Sequence, residues 1–208
     1  MPEMTLHNSQ AQQALQRLLE GNARYSSAHA IHPDQDMKRL HDIAAAQHPF
    51  ATILGCSDSR VPPSLVFDQG LGDLFIVRVA GNITDDAVIA SIEYSVMHLE
   101  VALVMVLGHT HCGAVGAALE SLQHPEENIG HLASVLEPII PLCREASQHC
   151  QGEPVSVEDV VRRNVLHVVK QLQDSRPILH SYLQQGKIAV IGAIYDVDSG
   201  HVQLLPSD

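Results

Sequence analysis

A chain of 208 residues with 45% hydrophobic residues is long enough to bury a proper core and too short for more than one domain with appendages. Twelve Lys and Arg against 24 Asp and Glu leave a formal charge of −12 and no basic run, which argues against nucleic acid and anionic lipid as partners. Aromatic residues are 3% and Trp is absent, so Val, Ile, Leu and Ala have to fill the interior.

Four cysteines, Cys56, Cys112, Cys143 and Cys150, are too sparse for a disulfide scaffold. The stretch from Met1 to Gln13 is polar, without the apolar centre of a signal peptide. The longest apolar run, Val101 to Leu107, is too short to cross a bilayer. These features together point to a reducing, cytoplasmic location and no membrane.

Taken in order, the chain reads first as a helix capped by Ser9, with an apolar face of Ala11, Ala14, Leu15, Leu18 and Leu19, ending near Gly21. A helix so far from any strand needs something to lie against, and a partner subunit is one candidate. Residues 26–33 read as a loop, and 34–46 as a second short helix. Ala51 to Leu54 is a buried strand ending at Gly55. Val61-Pro62-Pro63 then forbids helix or central strand, and the glycines at 70 and 72 are turn chemistry. Leu74 to Ala80 is the second strand, stopped at Gly81. Thr84 caps the next helix, whose apolar residues are Val88, Ile89, Ile92, Val96 and Leu99. Val101 to Leu107, with three valines and no charge, reads as a central parallel strand covered on both faces. A small-residue helix opens at Gly113, and a polar stretch at 124–128 precedes a helix from Gly130 that Pro138 and Pro141 interrupt. Ser156 with Asp159 is a capping-box signature for a helix to Leu172. A further helix opens at Arg176-Pro177 and closes at Gly186. Ile188 to Ile194 is the fourth strand, and Val202 to Leu205 a fifth, hairpinned through Asp198-Ser199-Gly200. Strand followed by helix, repeated, defines an α/β fold: a mostly parallel sheet of four strands plus an edge strand, flanked by helices. We read one domain, with an N-terminal helical arm over about 9–46 and a core over 50–208.

Two strands end in reactive residues at the same, C-terminal, edge of that sheet, where open α/β sheets bind ligands. One gives Cys56, Asp58 and Arg60. If the backbone stays extended, alternation points all three the same way. The other gives His109 and Cys112, three residues apart. If the strands are neighbours, Cys56, His109 and Cys112 converge, and two thiolates with one imidazole select zinc. Three protein ligands leave an open, catalytic position. Asp58 can close it as a fourth ligand, or stand beside it and accept a proton from zinc-bound water. His111 competes with His109, but should face away from the strand end. A four-ligand structural site is the bland alternative. Cys143 and Cys150 read as bystanders.

Gly-Cys-Ser-Asp-Ser-Arg-Val-Pro at 55–62, Val-Arg-Val-Ala-Gly-Asn at 77–82, Ser-Ile-Glu-Tyr at 91–94 and Gly-His-Thr-His-Cys-Gly at 108–113 resemble β-class carbonic anhydrase, in order and spacing. The resemblance implies reversible hydration of carbon dioxide to bicarbonate and a proton. It implies one zinc per chain on Cys56, His109 and Cys112, with Asp58 clamped by Arg60 assisting the zinc-bound water. It further implies Gln47 as a bicarbonate donor from across a dimer interface, Tyr94 as a cleft residue, Gly113 as a backbone donor to substrate, and His98 as a possible proton shuttle. Phe67, Ile83 and Val88 are candidate apolar walls for carbon dioxide. The family builds intertwined homodimers, or dimers of dimers, with the site at the interface. Some bacterial members carry a Trp three residues before the first zinc Cys, part of a non-catalytic bicarbonate site. Ile53 stands there, so that site is not expected. Two rivals remain: hydrolysis of another small linear substrate such as CS2 on the same scaffold, or a non-catalytic zinc-bearing interaction module.

Overall fold

The computed structural model describes residue 6 and residues 8–124, 130–149 and 155–206. Strands β1 (Ala51–Gly55), β2 (Leu74–Arg78), β3 (Leu103–His109) and β4 (Ala189–Tyr195) pair in parallel, and β5 (Val202–Leu204) runs antiparallel to β4. The order is β2-β1-β3-β4-β5. Every residue of β1 and β3 is buried, as apolar strands covered on both faces must be. Alternation sends Ala51, Ile53, Leu103, Met105 and Leu107 into one core layer. Leu54, Val104 and Val106 go into the other.

Helices α1 (Ser9–Ser26), α3 (Pro63–Val66), α5 (Gly113–Glu120), α6 (Ala133–Leu136) and α7 (Ile140–His149) cover the first layer. The second is covered by α4 (Asp86–His98), most of α8 (Val157–Asp174) and α9 (Ile178–Gln184).

Several expectations about the helices change. α1 is capped by Asn8 instead of Ser9: its side-chain oxygen accepts from Gln10 N at 2.9 Å and Ala11 N at 3.0 Å. The same amide donates to the carbonyls of Gly186 and Lys187, so Asn8 also fastens the helix to the end of α9. α1 does not stop at Gly21. That glycine sits inside the helix because a Cβ there would run into the Phe67 carbonyl. Its face of Ala11, Ala14, Leu15 and Leu18 is buried within its own chain, so α1 needs no partner for cover.

α2 (Met37–Asp42) is shorter than 34–46. Asp36 caps it, and it buries no residue of its own. α4 is capped by Asp85, which accepts from Val88 N at 2.8 Å. Thr84 instead donates to Gln171 Oε1 at 2.7 Å. Ser156 does cap α8, accepting from Asp159 N at 3.1 Å, and the helix runs two residues past Leu172. Pro141 is tolerated at the second position of α7, where its missing N–H costs nothing. Most of the polar stretch at 124–128 lies outside the described residues.

Candidate metal centre

β1 and β3 are hydrogen-bonded neighbours, with Gly55 opposite Leu107. Cys56 therefore leaves the sheet beside the end of β3, which His109 closes, while Cys112 caps the start of α5. The Cys56 and Cys112 sulfurs and a His109 ring nitrogen all lie within 4.8 Å of one another. Among the described residues this is the only group of three such side chains so gathered. All three are nearly sealed from solvent, at 4%, 1% and 2% exposure for Cys56, His109 and Cys112.

The histidine is pre-set for a cation. Its Nδ1 faces the Thr110 carbonyl at 2.9 Å, and a carbonyl can only accept, so Nδ1 carries the proton. Nε2 is left as a bare lone pair, buried and without a hydrogen-bond partner. A buried orphan nitrogen beside two sulfurs is costly unless a metal fills the gap. The sulfurs point to the same conclusion. Cys56 Sγ accepts from Gly81 N at 3.3 Å and Asp58 N at 3.4 Å. Gly81 delivers that N–H from a 3-10 turn (Ala80–Asn82), at a φ of 68° that favours glycine. The hydrogen bond between the two sulfurs pulls the Cys56 thiol far below its ordinary range and pushes Cys112 far above it. Protein groups alone thus hold one thiolate, and two need a cation between them. Two sulfurs and an imidazole fit zinc.

Asp58 and Arg60 come together, though not by alternation along an extended strand. The backbone turns: Arg60 N donates to Asp58 Oδ1 at 2.9 Å, and Val61 N donates to the Asp58 carbonyl at 3.2 Å. This turn brings the guanidinium back over the carboxylate. Nε donates to Oδ1 at 3.0 Å and Nη2 to Oδ2 at 2.8 Å, a bidentate pair. The Arg60 hydrogen bonds hold the Asp58 carboxyl at about 2, well below the usual carboxylate range. Asp58 Oδ2 stands 4.0 Å from the bare His109 Nε2. The carboxylate is therefore beside the cluster, ionised, with both oxygens already engaged by arginine. His111 faces away: it is exposed and paired with Asp198 at 3.0 Å.

One residue of this site was missed from sequence. Arg78, at the end of β2, donates through Nε to the Cys56 carbonyl at 2.8 Å and through Nη2 to the Asp58 carbonyl at 2.6 Å. It braces the backbone of Cys56 and of Asp58 at once. The signal was available, since a lone arginine closing an apolar strand needs a polar partner.

Other candidates are placed less centrally. Gly113 opens α5 directly after Cys112, and a Cβ built on it meets nothing within 4 Å, so there is room beside the cluster. Gln47 is exposed in the loop before β1, at the sheet edge opposite to Cys56. His98 closes α4, and Tyr94 stacks on it with ring centroids 5.0 Å apart. That end of α4 leads into β3 and also lies toward the edge away from the chain's own cluster. Phe67 and Ile83 share the core layer of Cys56 and Cys112. Val88 packs in the opposite layer with Leu54 and Val106, so it is no wall of this site. Cys143 is buried away from the cluster, and burial pushes its thiol up to about 11. Cys150 lies outside the described residues.

Two thiols and an imidazole gathered at the C-terminal edge of a mostly parallel sheet, with a clamped carboxylate beside them, could hold a zinc ion. The family model described as "Carbonic anhydrase" matches residues 51–202. The chain is 38% identical over 200 residues to a carbonic anhydrase of Mycolicibacterium smegmatis, covering 95% of this chain and 94% of that one. Among solved structures it resembles the β-carbonic anhydrase CcaA at 33% identity and a TM-score of 0.69, covering 91% and 94% of the two chains. It also resembles a structure described as one of two tetrameric β-carbonic anhydrases of Sordaria macrospora. That match has 25% identity, a TM-score of 0.74 and coverage of 94% and 98%. The chain belongs to the carbonic anhydrase family, β class. Its cofactor is zinc and its reaction the reversible hydration of carbon dioxide.

Proposed function

We propose that Cys56, His109 and Cys112 hold the zinc and that Asp58, clamped by Arg60, is the working base of carbon dioxide hydration. The observation that carries this assignment is the bidentate Asp58–Arg60 pair, whose Oδ2 lies 4.0 Å from His109 Nε2. Zinc, when bound, lowers the pKa of water and so supplies a nucleophile near neutral pH. The chain's own residues do the rest. Asp58 accepts a hydrogen bond from the reacting water and orients it toward the substrate carbon. Arg60 keeps that carboxylate ionised and turned to its own side, so it does not take the open position. Gly113, first in its helix, offers a backbone N–H with no partner in its own turn to a substrate oxygen. Ile83 and Phe67 belong to the apolar layer behind the cluster, which suits an uncharged substrate. The net change is carbon dioxide plus water to bicarbonate plus a proton.

The one domain, arm and core together, works as a homodimer or a dimer of dimers. Support comes from apolar side chains that the chain leaves in water: Met37, Leu40, Leu65, Leu71, Tyr94 and Met97 are each at least 40% exposed. A second copy would cover them and bring Gln47 to the neighbouring site as a donor to bicarbonate, with Tyr94 as a cleft residue. His98 would take the proton outward. No helix among the described residues is long and apolar enough to cross a membrane. A reducing, cytoplasmic setting suits ligand cysteines that have to remain thiols.

The test is turnover of carbon dioxide and of CS2 side by side, by stopped flow, on protein of measured zinc content and light-scattering mass. One zinc per chain, hydration of carbon dioxide alone, and a dimeric or tetrameric mass are expected. Zinc bound without turnover would overturn the assignment of Asp58 and Arg60, and a fully active monomer would overturn the role of Gln47.

A further inference from the structure

The loop between His109 and Cys112 is held from outside by a contact that touches none of the reacting groups. His111 adopts a left-handed backbone, φ 55°, which few non-glycine residues do, though histidine is among those enriched there. That turn aims its carbonyl at Arg60, whose Nη2 donates to it at 3.1 Å. The side chain is fastened at the far end. Its Nε2 meets Asp198 Oδ2 at 3.0 Å, and Nδ1 stands 3.6 Å from Glu158 Oε1 at the start of α8. Asp198 in turn sits at the tip of the β4–β5 hairpin. Asp196 Oδ1 accepts from both Asp198 N and Ser199 N at 2.9 Å. The hairpin is also tied to the loop one residue earlier: Thr110 N donates to the Tyr195 carbonyl, and Val197 N donates to Thr110 Oγ1, each at 3.0 Å.

We infer that Asp198 is a positioning residue for this reaction. By holding His111 it fixes the carbonyl that receives Arg60, and Arg60 fixes Asp58. The Arg60 side chain is half exposed, so without His111 its only other partner is the carboxylate it has to hold. A guanidinium anchored at two places keeps one orientation, whereas one anchored only to Asp58 can move with it. Asp198 itself is mostly in water and contributes to no core, so removing its side chain leaves the packing of the fold intact. This inference rests on Asp58 being the base.

The experiment compares Asp198→Ala and Asp198→Asn in the zinc enzyme, with His111→Gly, which keeps the left-handed turn and its carbonyl but has no side chain. Asp198→Ala should lower kcat roughly two- to five-fold, the scale of one exposed ion pair, with zinc content and Tm as in the parent. Asp198→Asn, which retains an acceptor for Nε2–H, should restore most of the loss. Added to His111→Gly, Asp198→Ala should cost nothing more. In cobalt(II)-substituted protein, Asp198→Ala should shift the visible spectrum in the same direction as Arg60→Ala. Unchanged kcat, a loss that persists in the His111→Gly background, or a parallel fall of Tm and zinc content would each overturn the inference. If the parent turned over no carbon dioxide, the assigned base would fail instead, and the cobalt spectra would still report whether Asp198 acts on the Arg60–Asp58 pair.

Discussion

Replacing Arg78 by alanine removes two hydrogen bonds, at 2.8 Å and 2.6 Å, to the carbonyls of Cys56 and Asp58. Bonds from a charged donor contribute about 1.5–3 kcal/mol each when sheltered, but Arg78 is exposed, so about 1 kcal/mol apiece is the fairer figure. The combined loss of about 2 kcal/mol falls on the segment that carries Cys56 and Asp58, the proposed ligand and base. It corresponds to an affinity change of about 30-fold. Titration of the metal-free protein with zinc against a competing chelator should therefore show Kd rising about 30-fold in Arg78→Ala. Arg78→Lys, able to keep one of the two bonds, should fall between. Stopped-flow turnover at saturating zinc should also drop, because Asp58 shares the loosened backbone. If Arg78→Ala bound zinc as tightly as the parent and turned over as fast, the bracing role would be wrong.

Arg60→Ala should retain zinc and lose most of its turnover, by ten-fold or more on the scale of a mispositioned base, since Asp58 is then free to move toward His109; metal analysis and stopped flow on one sample check both halves. His109→Ala should lose zinc as purified, which metal analysis reads directly, because the buried sulfurs are left without their third partner. Arg24→Ala tests the fold instead. Burial pushes the Asp68 carboxyl up, but the Arg24 side chain and the backbone N–H groups of His32 and Ile31 outweigh it and hold the group below its ordinary value. Such a depressed carboxyl adds stability that is fully present above the unfolded value near 4 and is lost as pH falls through the folded value. Arg24→Ala should thus cost about 2–4 kcal/mol at neutral pH by denaturant unfolding, and the gap to the parent should narrow below about pH 4. A gap that is constant with pH would contradict that ion pair.

Much of this was legible because apolar strands and reactive strand ends are local signals. The runs at 51–55 and 103–109 carry no charge until the sheet edge, where they deliver Cys56 and His109. Their adjacency was the one non-local assumption, and the order β2-β1-β3 supplies it. The misses have local causes too. Asn8 and Ser9, or Thr84 and Asp85, can each cap a helix, and which one does depends on where the preceding chain enters. Gly21 looks like a helix end, yet it is retained for a close crossing over Phe67 that no local pattern shows. Alternation paired Asp58 with Arg60 for the wrong reason, since a turn joins them. Val88 keeps helical spacing whichever face of the sheet its helix covers, so its layer could not be read. His111 works through its backbone carbonyl, which has no sequence signature of its own, whereas Arg78 shows in the sequence only as a strand-end charge in need of a partner.

The central claim is that Asp58 works beside the zinc and does not hold it. Zinc content and carbon dioxide hydration, measured on the parent and on Asp58→Ala together, test it most directly. The account predicts one zinc per chain in both proteins and a turnover in Asp58→Ala lower by about 10²- to 10⁴-fold, the usual worth of a positioned base. Loss of zinc from the variant, or hydration at the parental rate, would contradict it.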